Sequence, residues 1–297
     1  MSHKTTVGDL LARDGSLVLP GVYDALSARL AARAGFDAVF VSGYCLSATQ
    51  LGEPDFGFLT QTEVLDAARR ITAAVDVPVI VDIDTGYGNA FNVERTVTAL
   101  VQAGAAGCFL EDQVWPKRCG HMDRKRVVPT GEYLPKLRAA LNARGAAPFH
   151  ITARTDALAA EGIDAAIARA TAFAAAGADA VFVEAPESVE QMARIRDAVP
   201  SNVPLVANMV EGGRTPIRTA TDLAAAGYTI VVAPVAGLLA SAHALANVYA
   251  VLLRDGITTS TADRMLTFGE MNTLTGLDER YRREALGLNA RIVGPAV

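Results

Sequence analysis

The 297-residue sequence has few residues of the types that build disulfide or zinc frameworks: three cysteines, four histidines and a single tryptophan. Cys45, Cys108 and Cys119 are too few and too irregularly spaced for a disulfide framework or a zinc cage. Basic residues are in deficit as well, since 27 lysines and arginines face 32 acidic residues and the net charge is −5. A chain without a basic surplus is poorly suited to neutralising nucleic-acid phosphates, so we expect no nucleic-acid partner.

The N-terminal segment contains no apolar stretch of the kind found in signal peptides, and we expect a cytoplasmic location. One apolar segment, 231–253, approaches the length of a membrane span. Pro234, Ser241, His243 and Asn247 interrupt it, and its first residues continue a strand pattern. We therefore predict a buried strand followed by a helix, and no membrane partner.

Just over half of the residues, 51%, are hydrophobic, and many of them form short continuous runs. Eight such runs occur, in segments beginning at Ser16, Ala34, Pro78, Ala103, Phe149, Ala176, Pro204 and Ala226. Continuous rather than alternating apolar runs indicate strands buried on both faces, as in a parallel sheet. No GxGxxG follows the first run, so eight strand–helix units favour a (β/α)8 TIM barrel of the α/β class over an open doubly wound sheet.

The barrel is predicted to form a catalytic domain over residues 1–255. The remaining residues, 256–297, contain no further barrel element and have the pattern of two amphipathic or polar helices. We expect this C-terminal helical extension to pack on a neighbouring subunit rather than to form a separate domain.

Polar and ionisable residues begin only where the predicted strands end. They are Ser42, Gly43, Asp82, Asp84, Glu111, Asp112, Arg154, Asp156, Glu184 and Asn208. In a barrel these ends converge on one mouth, where several carboxylates repel one another unless a cation or protons intervene. Oxygen ligands without a histidine or cysteine cluster favour Mg²⁺, with Mn²⁺ as the alternative. We predict that Asp82 binds the metal directly and that Asp84, on the same side of a regular strand, and Glu111 hold metal-bound waters. The alternative is that each acid caps a helix or forms a structural ion pair.

A second candidate group, Lys117-Arg118-Cys119-Gly120-His121, lies on the long insertion after the fourth strand. Three potentially cationic side chains flank one thiol, and nearby positive charge lowers the pKa of a thiol. We therefore predict that Cys119 is a proton donor or acceptor near neutral pH and that Gly120 lets the backbone approach a ligand. A cysteine among basic residues is often incidental, but the position of this loop above the acidic mouth favours a functional role.

With these residues in view, the sequence resembles the isocitrate lyase and phosphoenolpyruvate mutase superfamily. The most specific mark is KRCGH at 117–121. It is accompanied by YDALSAR at 23–29, LGEPDFGF at 51–58, DIDTGYGN at 82–89, FLEDQVWPKRCGH at 109–121, ARTDA at 153–157, FVEAP at 182–186 and ANMVEGGRTP at 207–216. The resemblance is closest to the branch of 2,3-dimethylmalate lyase and the petal death protein. It implies a Mg²⁺-dependent barrel enzyme, a homotetramer in which C-terminal helices are exchanged between subunits.

The resemblance also implies a role for each matching residue. The metal would be held by Asp82, Asp84, Asp55 and Glu111. The substrate would be bound by Ser42, Gly43, Tyr44, Asp82, Gly120, Arg154, Glu184 and Asn208. Cys119 would be the general acid on a mobile gating loop, and Lys117, His121 and Glu111 would complete the catalytic set.

The implied reaction is that of a carbon–carbon lyase, an oxo-acid-lyase acting on a 2-hydroxy di- or tricarboxylate. A retro-aldol (Claisen-type) cleavage would release an α-keto acid such as pyruvate and a carboxylic acid. The candidate substrates are 2,3-dimethylmalate, another 2-alkylmalate, or methylisocitrate. Phe268 stands where methylisocitrate lyases carry an arginine for the distal carboxylate, which favours an alkylmalate.

Three alternatives stay open at this point: a carboxyphosphonoenolpyruvate phosphonomutase, an oxaloacetate hydrolase, and a barrel that binds a metabolite without turning it over. Pro234 weakens the hydrolase alternative, because hydrolases of this branch typically place a serine there. The general base is not identified. Methylisocitrate lyases have a tyrosine where this sequence has Phe40, and Tyr44 is the nearby candidate.

Overall fold

The computed structural model describes residues 5–287; residues 1–4 and 288–297, the last of which belong to the predicted C-terminal extension, lie outside it. Eight parallel strands form one sheet: β1 (Leu17–Val22), β2 (Val39–Val41), β3 (Val79–Asp82), β4 (Gly107–Glu111), β5 (His150–Thr155), β6 (Ala180–Val183), β7 (Val206–Asn208) and β8 (Ile230–Ala233). Their order is β6-β5-β4-β3-β2-β1-β8-β7. A parallel bridge between Val181 and Leu205 joins the two end strands, so the sheet nearly closes. The predicted TIM barrel is confirmed.

Helices separate the strands and begin at the local signals that the sequence provides. They are α1 (Val7–Leu11), α2 (Ala25–Arg33), α3 (Gly43–Leu46), α4 (Gln61–Thr72), α5 (Ala90–Gln102), α6 (Thr130–Ala143), α7 (Ala157–Glu161), α8 (Ile163–Ala175), α9 (Val189–Ala198), α10 (Ala220–Ala225), α11 (Ala236–Asp255), α12 (Phe268–Thr275) and α13 (Leu277–Ala285). Asp24, for example, accepts the Ser27 N–H at 2.7 Å ahead of α2. Thr60 and Glu63 form a capping box at the start of α4.

The strands are buried on both faces, as their continuous apolar runs predict. Every residue of β4 and of β5 is buried. The inner layer is aromatic towards the carboxyl ends of the strands, where the Phe109 ring lies 4.8 Å from that of Phe40 and 5.9 Å from that of Phe182. At the opposite end, α1 packs Val7 and Leu10 into the same inner cluster. The carboxyl ends are therefore the open end of the barrel.

The chain divides into two compact units within α11, between Leu239 and Ala240. The predicted boundary, residue 255, is the last residue of that helix, and the division into a catalytic domain and an extension there stays a prediction. The second unit contains the rest of α11, a 3-10 helix (Thr259–Arg264), α12 and α13, which matches the predicted pair of helices.

The apolar segment at 231–253 forms a strand and a helix, as predicted. β8 is largely buried, whereas no residue of α11 is buried in the single chain. Within residues 5–287, α11 is the one helix whose length and composition would allow it to cross a membrane, which by itself is weak evidence.

Candidate active site

A cavity of about 220 Å³ opens at the carboxyl ends of the strands. Ten of the predicted site residues line it: Ser42, Tyr44, Asp55, Asp82, Cys119, Gly120, His121, Arg154, Glu184 and Asn208. Four more, Gly43, Asp84, Glu111 and Lys117, are buried and contact that lining. The structure thus brings the strand-end acids and the loop thiol into one cavity.

The acidic group is organised around a buried ammonium. The Lys117 Nζ lies 2.7 Å from the Asp55 Oδ2 and 2.7 Å from the Asp84 Oδ1, and its side chain is only 3% exposed. We predicted Lys117 beside the thiol, but its charge is directed into the acids instead. Burial opposes the charge, yet Asp84 and Asp55 hold the pKa of Lys117 well above its ordinary value. It therefore partly neutralises the repulsion among these carboxylates.

Asp82 and Asp84 do not extend from a regular strand, because β3 ends at Asp82 and Asp84 has a left-handed backbone (φ 49°). The Asp82 Oδ1 accepts the Asp84 N–H at 3.1 Å, which holds the two residues together. A Cβ added to Gly43 would lie 3.0 Å from the Asp82 Oδ2 and 3.5 Å from the Asp84 Oδ1. The absence of a side chain at Gly43 leaves the space beside both carboxylates free.

Glu111 has buried oxygens that could serve a cation. Neither carboxylate oxygen has a hydrogen-bond partner, and burial raises the pKa of Glu111 well above its usual range. Within residues 5–287, no three carboxylate, histidine or cysteine groups meet as a ready-made ligand set. A divalent ion held directly by one carboxylate, with water between it and the others, fits both observations and the oxygen-only chemistry of the donors.

Arg154 is saturated by carboxylates. Its guanidinium lies 2.9 and 3.1 Å from the two oxygens of Asp156, 3.3 Å from the Glu111 Oε2 and 3.1 Å from the Glu184 Oε2. The parallel register sets part of this arrangement, because Glu111 lies opposite Arg154 across β4 and β5. Burial raises the pKa of Glu184, but Arg154 and His121 outweigh that effect and lower it to about 2.

The loop after β4 places Cys119 against the cavity, where the Cys119 N–H donates to the Asp55 carbonyl at 3.1 Å. The prediction of a lowered thiol pKa is wrong. Burial raises the pKa of Cys119 to about 11, and the nearby Asp55 and Glu184 outweigh Lys117. Cys119 is therefore a protonated thiol near neutral pH.

Gly120 and His121 fit closely against two neighbouring elements. A Cβ added to Gly120 would lie 2.4 Å from the Glu184 carboxylate, so only glycine fits there without displacement. The His121 Nδ1 accepts the Arg214 N–H at 3.0 Å, and its Nε2 lies 3.2 Å from the Glu184 Oε1. The His121 ring is therefore held between the Arg214 backbone and Glu184.

Two of the strand-end acids are structural, as the alternative interpretation allowed. Asp112 accepts the Thr155 hydroxyl at 2.7 Å and the Asp156 N–H at 2.9 Å, and it pairs with Arg169 at 3.0 Å. Asp156 is buried beneath Arg154 and pairs with Lys125 at 2.9 Å. Neither carboxylate lines the cavity.

The sequence reasoning missed two residues beside the site. Tyr87 has a left-handed backbone (φ 62°) and a buried hydroxyl without a hydrogen-bond partner. Burial, then Asp84 and Asp82, raises the pKa of that hydroxyl well above its usual range. The glycines on either side of it, Gly86 and Gly88, indicate a tight turn and could have drawn attention to Tyr87 in the sequence. Lys125 had no such signal, because it belongs to a run of charged residues that resembles an exposed loop.

A nearly closed parallel barrel, with an acid-lined cavity and a thiol-bearing loop at the carboxyl ends of its strands, is the arrangement of a (β/α)8 enzyme. Residues 8–253 match the family model described as phosphoenolpyruvate phosphomutase. The chain therefore belongs to the phosphoenolpyruvate mutase and isocitrate lyase superfamily, and it is an enzyme with the lyase or mutase chemistry of that group.

Curated relatives carry several activities within the superfamily. The petal death protein of Dianthus caryophyllus is 46% identical, covering 95% of this chain and 89% of its own length. The chloroplastic carboxyvinyl-carboxyphosphonate phosphorylmutase of Arabidopsis thaliana is 45% identical, covering 95% and 84%. The 2,3-dimethylmalate lyase of Eubacterium barkeri is 44% identical, covering 94% and 96%.

Solved structures share the fold over nearly the whole chain. A 2,3-dimethylmalate lyase superposes with a TM-score of 0.88 at 36% identity, covering 96% of this chain and 94% of that one. An oxaloacetate acetylhydrolase bound to 3,3-difluorooxalacetate has a TM-score of 0.87 at 35% identity, covering 97% and 96%. A phosphonopyruvate hydrolase in complex with oxalate and Mg²⁺ has a TM-score of 0.82 at 31% identity, covering 91% and 93%. The last of these is consistent with use of a divalent metal.

Proposed function

We propose that this enzyme is a Mg²⁺-dependent carbon–carbon lyase that cleaves a 2,3-dialkylmalate-type substrate, such as 2,3-dimethylmalate, to pyruvate and a monocarboxylic acid. The observation that carries the proposal is that Asp82 and a protonated Cys119 line the same cavity. Cleavage of the C2–C3 bond of such a substrate needs stabilisation of negative charge on the hydroxy-acid oxygens and a proton for the carbon that leaves. A cation held at Asp82 would supply the first, and the Cys119 thiol would supply the second.

The metal would be held by Asp82, with Asp84, Glu111 and Asp55 around it, and when bound it would supply positive charge for the hydroxy-acid end of the substrate. Hydroxyl and backbone donors of Ser42, Gly43 and Tyr44 would hold the keto-acid oxygens; the Ser42 N–H is not among them, because it donates to the Val22 carbonyl at 3.1 Å. Burial raises the pKa of Tyr44, so its phenol stays protonated and can donate a hydrogen bond.

The bond that breaks joins C2 and C3 of the substrate. The hydroxyl at C2 loses its proton and becomes the carbonyl of pyruvate, and the electron pair of the bond moves towards C3. The Cys119 Sγ–H donates its proton to that carbon, and the thiolate recovers the proton released from the hydroxyl through solvent or a base. Phe40, which lines the cavity, supplies no hydroxyl for that purpose.

The lining supports an alkyl-bearing substrate. Apolar side chains make up much of the wall, including Phe40, Phe109, Phe182, Val232 and Leu239. Arg154 is the one arginine or lysine among the described residues that line the cavity, and three carboxylates already surround it. A phosphonate substrate would need further cations, so these observations favour the lyase over the phosphonomutase. Pro234 also lines the cavity and offers no side-chain hydroxyl for the hydrolase reaction.

The test is a turnover panel of C4 to C7 2-hydroxy diacids, methylisocitrate, oxaloacetate and a carboxyphosphonate, all with Mg²⁺, read by keto-acid release and phosphorus NMR. We expect 2,3-dialkylmalates to be cleaved fastest. Cys119→Ser should abolish cleavage while it retains substrate binding. Much faster cleavage of methylisocitrate, hydrolysis of oxaloacetate, or rearrangement of the phosphonate would each contradict the proposal.

We also propose a cytoplasmic homotetramer with exchanged C-terminal helices. Leu245, Tyr249, Leu252 and Leu253 of α11 are exposed in the single chain, which supports association through this helix. Light scattering on the purified protein tests the oligomeric state.

A further inference from the structure

Lys125 is a buried cation in the middle of the loop that carries Cys119. Its side chain is 1% exposed, although the residues around it form the charged run 123–126. The Nζ donates to the Gly120 carbonyl and lies 2.9 Å from the Asp156 Oδ1, which is wholly buried. A buried ammonium needs such partners, because leaving water without them is costly.

The two partners of Lys125 belong to different parts of the active site. Gly120 is the neighbour of Cys119 in the loop, and its close packing against Glu184 sets how far the loop approaches the cavity. Asp156 follows β5 and accepts two hydrogen bonds from one edge of the Arg154 guanidinium, from Nε at 2.9 Å and from Nη2 at 3.1 Å. The Lys125 ammonium therefore links the Gly120 backbone, next to Cys119, to Asp156, the carboxylate that binds Arg154.

Other contacts hold the residues on either side of Gly120. After it, the His121 Nδ1 accepts the Arg214 N–H at 3.0 Å, and the Met122 N–H donates to the Cys119 carbonyl at 2.9 Å. The Cys119 N–H donates to the Asp55 carbonyl at 3.1 Å, and the Arg118 N–H donates to the Gln113 Oε1 at 3.0 Å. These two contacts hold the segment before Gly120. Gly120 itself is held by Lys125, because the Lys125 ammonium donates a hydrogen bond to the Gly120 carbonyl within the same loop.

We propose that Lys125 is a positioning residue: it holds the Cys119–Gly120 backbone over the cavity and shares Asp156 with Arg154, so that loop closure and the orientation of Arg154 are set together. For its kinetic consequences the inference rests on the proposed lyase reaction, but the position of the loop can be measured without any substrate.

The substrate-free measurement is the alkylation rate of Cys119, followed by peptide mass spectrometry on the full-length enzyme. Cys45 and Cys108 are fully buried and serve as internal references. In Lys125→Met the loop loses its charged hydrogen bonds, so we expect Cys119 alkylation about tenfold faster. Lys125→Arg should restore a rate near that of the wild type, and Lys125→Gln, which keeps one donor, should be intermediate.

The matched control is Arg144→Met. Arg144 also bonds one carboxylate, Asp179, and one backbone carbonyl, that of Phe149, but it lies at the amino ends of the strands. Its loss should leave Cys119 alkylation unchanged. Alkylation of Lys125→Met and Lys125→Gln within twofold of the wild type, or an equal increase in Arg144→Met, would overturn the inference.

The kinetic arm uses the turnover substrate. Because both the thiol and Arg154 lose their positions, we expect Lys125→Met to lower kcat about tenfold or more and also to raise KM, with recovery in Lys125→Arg. Failure of the lyase proposal would leave this arm without a substrate while the alkylation result still stands. A wild-type kcat in Lys125→Met would count against the positioning role.

Discussion

Replacing Gly120 with alanine tests whether the Cys119 loop must seat against Glu184. Gly120 does not have a left-handed backbone, so alanine is permitted there by its own conformation. The new Cβ, however, would lie 2.4 Å from the Glu184 Cδ and Oε2 and 2.5 Å from its Cγ. Glu184 cannot easily move aside, because Arg154 holds it at 3.1 Å and Asn208 at 3.3 Å.

The expected cost follows from overpacking a well-filled site, about 1–3 kcal/mol. Because the loop can lift whereas Glu184 cannot, the cost should appear in the closing of the loop and not in the unfolding of the barrel. An energy of that size corresponds to a loss of about 5- to 150-fold in kcat/KM. Cys119 alkylation should become faster by a similar factor, since the lifted thiol gains access to solvent and its pKa returns towards the ordinary value.

The matched control is Gly131→Ala in α6, where an added Cβ meets nothing within 4 Å. That variant should keep wild-type turnover and alkylation, with a slight gain in stability from the alanine. The assays are steady-state cleavage, Cys119 alkylation and thermal unfolding. Wild-type turnover and unchanged alkylation in Gly120→Ala would refute the close seating, and a collapse in stability would place the cost in the fold instead.

Three further predictions concern stability, pH and metal binding. Arg169→Met leaves Asp112 buried without its cation and should lower the free energy of unfolding by about 3 kcal/mol in urea titrations. The control is the exposed pair of Arg194 and Asp164, where Arg194→Met should change the free energy of unfolding little. Burial lowers the pKa of His150 to about 4. The unfolded chain therefore takes up this proton near pH 6.5 and the folded chain only near pH 4, so stability falls by up to about 3 kcal/mol as the pH drops between them. His150→Gln should flatten that slope in pH-dependent unfolding, and an unchanged slope would exclude His150 as its source. Asp82→Asn should weaken Mn²⁺ binding, measured by electron paramagnetic resonance, by about tenfold or more, whereas Asp66→Asn on the exposed face of α4 should not.

The fold was predictable because its signals are local and repeated. The strands are predicted from continuous apolar runs, and four of these segments begin with the same Ala-Gly pair, at Ala34, Ala103, Ala176 and Ala226. The repeat of the barrel is therefore visible in the sequence. The polar residues that follow the apolar runs indicated which end of the barrel is open, because charged side chains are excluded from the apolar strand interiors. The exposure of α11 was not predictable in this way, because an apolar helix has the same composition whether it packs inside one chain or against another surface.

The site was predictable in its membership but less so in its contacts. Asp82, Glu111 and Glu184 lie where parallel strands must place them, whereas the pairing of side chains depends on loops. Asp112 and Asp156 follow strands in the same way, yet Arg169 and Lys125 draw them into structural ion pairs. Neither partner could be identified from sequence, because each reaches its acid from a separate element of the chain.

The pKa of Cys119 shows most directly how distance along the chain differs from distance in space. Lys117 is two residues away in sequence, but its ammonium lies between Asp55 and Asp84, and the thiol is left with burial as the dominant influence. The reversed shift changes the chemistry expected of the residue. A thiolate would have to gain a proton before it could act as an acid, whereas a half-buried thiol with a pKa of about 11 holds its proton at neutral pH. Its proton is transferred only to a stronger base, and the carbanion formed by cleavage is such a base. The burial that raises the pKa of Cys119 therefore also keeps the thiol protonated until the C2–C3 bond of the substrate breaks.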